Sequence, residues 1–106
     1  IHVSDLVDAH FSGLKYLNDG FDSITLNCGY GIGHSVFEVL KEVEKVSGKK
    51  LKIKVVGRRD GDVGYLVSDN KLLKNKFLWN ANHQSLNKII SDSFNWEKKM
   101  HNKKIK

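Results

Sequence analysis

The chain contains no proline at all. The usual rigid turn and linker signals are therefore missing, and no domain boundary can be read from them. It contains one cysteine, Cys28, which excludes an internal disulfide and fits a reducing compartment. Cys28 sits among glycines with no Cys or His at ligand spacing, so it reads as a small buried residue and not as a metal ligand. No run of apolar residues is long enough to cross a membrane, and the start carries no signal-peptide pattern. No GxSxG, HExxH or P-loop is present, and the five histidines share no common spacing. These absences leave a cytoplasmic location as the expectation and provide no catalytic set. A first residue of Ile1 raises the expectation of a fragment.

Positive charge is abundant but unevenly placed. The formal charge is +6, from 18 basic and 12 acidic residues. Residues 97–106 hold five of the lysines and one glutamate, so the rest of the chain carries 13 basic against 11 acidic residues. The excess is a terminal feature, expected to be a frayed basic tail over 98–106. The body is nearly balanced, and its aromatics are not interleaved with basic residues. That distribution argues against a nucleic-acid platform, although a basic nucleic-acid-binding module stays as the alternative. At 106 residues the chain is one domain or part of one.

Apolar spacing gives the elements. Leu6, Val7, His10, Phe11, Leu14 and Leu17 recur at helical spacing behind Ser4 or Asp5 as cap, and Asn18-Asp19-Gly20 closes that helix. His10 lies on the apolar stripe and reads as a packed core histidine. Ser23 to Asn27 reads as a short strand running into a glycine-rich loop, Cys28 to Ser35. Ser35 and Glu38 form a capping box for a helix that buries Val36, Val39, Leu40, Val43 and Val46 and stops at Ser47-Gly48. The loop resembles a phosphate cradle, but its spacing is GxGxG and no acidic residue follows a second strand, so a tight packing turn is the competing reading. Leu51, Ile53 and Val55 alternate with Lys52 and Lys54 as a strand, and Tyr65 to Ser68 reads as another. Asp69 or Asn70 caps a brief helix bearing Leu72, Leu73 and Phe77. Ser85 caps a last helix facing inward with Leu86, Ile89, Ile90, Ser93 and Phe94. Trp79 and Trp96 read as core plugs. The expected fold class is mixed α/β, with short strands and three to four helices.

The chemistry concentrates at Gly57-Arg58-Arg59-Asp60-Gly61-Asp62. A guanidinium makes two parallel hydrogen bonds to a phosphate or carboxylate. A neighbouring Asp can orient that Arg or accept hydrogen bonds from sugar hydroxyls. The plainer alternative is a solvated turn with local ion pairs, each contributing at most about 1 kcal/mol.

The order of these stretches is more specific than any one of them. IHVSDLVDAH, LNCGYGIGHSVFEVLKEVEKVSGKK, GRRDGD, SDN before FLW, and a closing helix with FNW together resemble the C-terminal third of UDP-glucose 4-epimerases, which are extended short-chain dehydrogenase/reductase enzymes. The resemblance covers residues 1–97 as a nucleotide-sugar-binding region, with 98–106 as the tail. It implies an isomerase of galactose metabolism that binds NAD in an N-terminal Rossmann half and works through a 4-keto sugar. Related nucleotide-sugar dehydratases and decarboxylases share the pattern. It implies that Arg59 binds the diphosphate of a UDP-sugar, that Asp62 lies near the uridine ribose, and that Leu66 lines the sugar's end of the pocket. Arg58 matches the motif beside them. The glycine-rich loop matches a turn that is structural in the family.

The Rossmann half and its Tyr-x-x-x-Lys pair are not in this sequence, so the chain alone is expected to be inactive and to bind no NAD. Its apolar faces are expected to lack their cover, so that it is marginally stable, self-associates or keeps a partner. Three positions depart from the family pattern. Asp60 stands for the usual proline of RRPGD, Leu78 for the glycine before the tryptophan, and Ala81 for the proline after it.

Overall fold

The computed structural model describes residues 1–104. Among them are four helices and no strand: α1 (Val3–Asn18), α2 (Val36–Ser47), α3 (Lys71–Phe77) and α4 (Leu86–Lys104). The expected α/β class is therefore wrong; the described chain is helical. The physical reason is pairing. A strand exists only where a neighbour takes its backbone N–H and C=O groups. Residues 23–27, 51–55 and 65–68 find no such neighbour among the described residues and lie without regular structure. Alternation along 51–55 is real, yet Ile53 and Val55 stand exposed with no ladder to fix them.

The residues fall into two compact units. The first comprises Ile1–Gly33 and Val67–Gln84, and holds α1 packed with α3. His2 caps α1: its Nδ1 accepts from the Ser4 amide at 3.1 Å. Neither Ser4 nor Asp5 does this, because Asp5 is used elsewhere. The amphipathic stripe of α1 is present but largely uncovered. Val7, Phe11, Leu14 and Leu17 are exposed, and Ala9 is the apolar residue of α1 that is buried. His10 is exposed as well; its Nδ1 donates to the Leu6 carbonyl at 2.7 Å. It is not a core histidine.

The core of this unit is Ala9, Leu73 and Trp79, with Leu26, Cys28, Tyr30, Phe77 and Ala81 partly buried against it. Trp79 is thus a core plug, and Cys28 packs beside the core half-buried. The glycine-rich loop is shaped by close packing. A Cβ on Gly29 would come within 2.7 Å of Ser68 Cβ, and one on Gly33 within 2.7 Å of Val67 Cγ2. The Asn70 amide donates to the Gly29 carbonyl at 2.6 Å, so Asn70 ties this loop down instead of capping α3 with its side chain.

Leu78 ends α3 in the left-handed region, at φ 51° and ψ 27°. It stands where the resemblance places a glycine, and its side chain is 84% exposed. A side chain in that region costs about 1–2 kcal/mol relative to glycine, partly offset by glycine's greater freedom in the unfolded chain. Leu78→Gly is therefore expected to raise stability by about 0.5–1 kcal/mol. A urea titration that leaves the midpoint unchanged or lowers it would contradict this.

The second unit comprises His34–Leu66 and the stretch that starts at Ser85, and packs α2 with α4. The capping box forms as the sequence predicts: Ser35 Oγ accepts from the Glu38 amide, and Glu38 accepts from the Ser35 amide at 2.6 Å. Those hydrogen bonds from Ser35 hold the Glu38 carboxyl below its usual value. The helix stops at Gly48. Val39, Leu40, Val43 and Val46 of α2, and Leu86, Ile89, Ile90 and Phe94 of α4, are half-buried. Val36 and Ser93 are exposed instead. Trp96 is 59% exposed and plugs no core. Of the tail expected over 98–106, residues 98–104 continue α4 to Lys104, and 105–106 lie outside the described residues.

Candidate functional site

The Arg58-to-Asp62 turn lies within the second unit. Gly61 has a φ of 86°, which lets the chain reverse where a side chain would strain it. The Asp62 amide donates to the Arg59 carbonyl at 3.2 Å, closing the turn. The Asp62 carboxylate then works with both oxygens. Oδ2 accepts from the Arg59 amide at 3.1 Å, and Oδ1 lies 3.6 Å from Arg59 Nη2. One acid therefore fixes the backbone and also aims the guanidinium. The Arg59 side chain is 86% exposed, so its fork is open to a ligand. An exposed pair of this kind contributes under about 1 kcal/mol, and an incoming anion can replace the carboxylate on Nη2 at little cost. The bond from Oδ2 to the Arg59 amide need not change.

Arg58 belongs to the same turn and is exposed. Leu66 lies four residues beyond Asp62 and is 85% exposed. The structure thus gathers Arg58, Arg59 and Asp62 on one turn. No hydrogen bond joins Leu66 to them among the described residues. A recess of about 920 Å³ runs along α2 beside His34, Lys41, Lys45 and Leu86. None of the four predicted site residues lines it. Its mixture of glutamates and lysines offers no single charge to a ligand.

The glycine-rich loop does not fit a dinucleotide. Ser68 and Val67 already occupy the open sides of Gly29 and Gly33, where a pyrophosphate would have to approach the backbone. The loop is therefore a packing turn between Gly29 and Ser68 and between Gly33 and Val67. Among the described residues, no cluster of three or more His, Cys, Asp or Glu could hold a metal.

Sequence reasoning missed a polar network in the first unit. Asp5 is fully buried, at 0% exposure. Its carboxylate accepts from the Tyr30 hydroxyl at 2.6 Å and from the amides of Asn82 and His83, each at 3.0 Å. His83 Nδ1 lies 3.0 Å from Oδ1. The Asp5 carbonyl takes the Trp79 indole N–H at 3.0 Å. Tyr30 Oη in turn accepts from the His2 amide at 2.8 Å, and the His2 and His83 rings stack at 4.7 Å. These partners lie 25 to 78 residues from Asp5, beyond the reach of any local pattern. The available signal was an acid in the first turn of α1, which reads equally well as a dipole partner.

The network sets two titrations in opposite directions. Burial alone would raise the Asp5 carboxyl; the hydrogen bonds from Tyr30, His83 and Asn82 overcome it and hold the group far below its usual range. Burial, together with the bond to the Asp5 carboxylate, pushes Tyr30 up to about 12. A raised folded value means that Tyr30's contribution is complete below its ordinary value of 10.0 and is lost as pH rises toward about 12. Tyr30→Phe is expected to weaken folding by about 1–3 kcal/mol, leaving the His2 amide without its acceptor, and to flatten the alkaline limb of a stability-against-pH curve. An alkaline limb that survives in the variant would rule Tyr30 out as its source.

Comparison with known proteins concerns the chain as a whole. No protein-family model matches the chain. A UDP-glucose 4-epimerase from Azospirillum brasilense is 39% identical over 100 residues, which is 94% of this chain and 29% of that protein. The structure of UDP-glucose-4-epimerase from Stenotrophomonas maltophila with bound NAD and formylated UDP-arabinopyranose superposes with a TM-score of 0.89 at 37% identity. It is matched over 96% of this chain and 30% of its own. The UDP-Glc/GlcNAc 4-epimerase of Campylobacter jejuni gives a TM-score of 0.84 at 39% identity, over 93% of this chain and 30% of that one. The chain spans about 29% of the length of the curated relative from Azospirillum. Over nearly its whole length, the chain is a homologue of that portion of the UDP-glucose 4-epimerases.

Proposed function

We propose that this chain is the UDP-sugar-binding part of a UDP-glucose 4-epimerase. The observation that carries the reading is the Arg59–Asp62 turn, whose acid orients an open guanidinium, in a chain 39% identical to an epimerase segment. Arg59 binds the diphosphate through paired N–H bonds. Asp62, released from Nη2, faces the ribose hydroxyls while still holding the turn. Arg58 adds positive charge, and Leu66 lines the sugar's end.

In the whole enzyme, NAD supplies the redox chemistry at C4 of the sugar. This chain's part is binding and orientation, and the proton-transferring residues lie outside it. A dinucleotide-binding portion also accounts for the apolar faces exposed in each unit: Val7, Phe11 and Leu14 in one, Ile53, Val55 and Leu66 in the other. That portion is the inferred partner, with a second copy of the chain as the other candidate. A cytoplasmic setting fits the single thiol.

Calorimetric titration with UDP-glucose tests the proposal. A saturable heat that free UDP competes away is expected. Absence of heat from a chain whose circular dichroism shows folded helices would reject binding by this part alone.

A further inference from the structure

The same turn carries a chemical feature that ligand binding does not use. Asp60 is followed by Gly61, and Asp–Gly is the dipeptide in which a side-chain carboxyl is most easily attacked by the next backbone nitrogen. Glycine offers that nitrogen no side-chain hindrance. Both residues are exposed, and a methyl group built on Gly61 would meet nothing within 4 Å. Among the described residues, neither the Asp60 carboxylate nor the Gly61 amide has a hydrogen-bond partner. The bonds of the turn run around them, from Arg59 to Asp62.

The chain contains one other Asp–Gly pair, Asp19-Gly20, and it is held differently. The Asp19 carboxylate takes Lys15 Nζ at 2.7 Å, and the Gly20 amide donates to the Leu17 carbonyl at 3.1 Å. Electrophile and nucleophile are each engaged there. The two sites are matched in sequence and opposite in restraint.

We propose that Asp60 is a site of spontaneous isoaspartate formation and hence a substrate for an isoaspartyl-repair methyltransferase. The Gly61 nitrogen forms a bond to Asp60 Cγ. The amide proton and the hydroxyl of the protonated carboxyl leave as one water, giving a five-membered succinimide. Water then adds to either imide carbonyl. One opening restores aspartate, and the other leaves the chain running through the side chain, with the α-carboxylate free. The product has the same mass. It has one extra backbone carbon between Arg59 and Asp62, which breaks the register of both turn hydrogen bonds. On the proposed UDP-sugar reading, this would also mis-aim Arg59, but the modification itself does not depend on that reading.

The test is ageing of the whole chain at neutral pH, native and in urea, followed by digestion with a lysine-specific protease and methyltransferase labelling. Cleavage after lysines keeps Asp60 inside the peptide 55–71, away from Asp19 in 16–41. In the native chain, label in peptide 55–71 is expected to grow several-fold faster than in 16–41, with the gap closing in urea. In Asp60→Glu, whose longer side chain cannot close the five-membered ring, that label should vanish. Equal native rates, a faster rate at Asp19, or label persisting in Asp60→Glu would overturn the proposal.

Discussion

Asp5→Ala is expected to unfold the first unit or leave it on the edge of unfolding. The substitution removes the acceptor shared by the Tyr30 hydroxyl and the amides of Asn82 and His83. A buried donor left unpaired costs about 1–3 kcal/mol, so the loss is about 3 kcal/mol or more. Domains of this size are stable by about 5–15 kcal/mol in total, and the core here is three residues with partly buried neighbours. Asp5→Asn is not a rescue, because its amide group would set donors against donors. Trp79 packs in this core, so its fluorescence in a Trp96→Phe background reports the unit. Urea unfolding should show a large drop in midpoint for both variants, and a midpoint within a few tenths molar of the parent would refute the role given to Asp5.

Acid should act on the parent as the substitution does. The unfolded chain takes up the Asp5 proton near the ordinary value of 3.8, whereas the folded chain resists it to far lower pH. Between those limits the unfolded state binds more protons, so stability falls as pH falls. The contribution of Asp5 is complete above about pH 4 and is lost progressively below it. Asp5→Ala should flatten this acid limb.

Arg59→Ala is expected to weaken UDP-glucose binding by about 10- to 100-fold, the consequence of losing a charge-assisted, two-bond contact worth about 1.5–3 kcal/mol. Arg58→Ala should cost several-fold less, since nothing in the turn aims its guanidinium as Asp62 aims that of Arg59. Neither change should disturb folding, because both side chains are exposed. Parallel titrations with UDP-glucose measure the contrast. Equal losses for the two arginines would point to general charge attraction and remove the special place of Arg59.

The helices were legible because their signals are local. Ser35 and Glu38 announce a capping box three residues apart, and the apolar spacing of 39–46 marks the face that packs. Leu78 was legible only as a leucine where the family pattern has a glycine; that its φ is positive came from the structure. The strands were misread because alternation states which face a segment could bury but not whether a partner exists. Ile53 and Val55 alternate correctly and still face solvent. The same limit applies to His10 and Trp96, whose spacing suits a core that is not there. The turn at Arg58–Asp62 was legible in composition; the double duty of the Asp62 carboxylate was not. The Asp5 network was hidden because sequence separation, not residue type, conceals it.

The most direct test of the central claim is residue-resolved NMR of the labelled chain titrated with UDP-glucose. Progressive, saturable shifts centred on Arg59, Asp62 and Leu66, absent from Arg59→Ala, are expected. Shifts centred instead on the recess along α2, or a folded spectrum that UDP-glucose leaves unchanged, would contradict it.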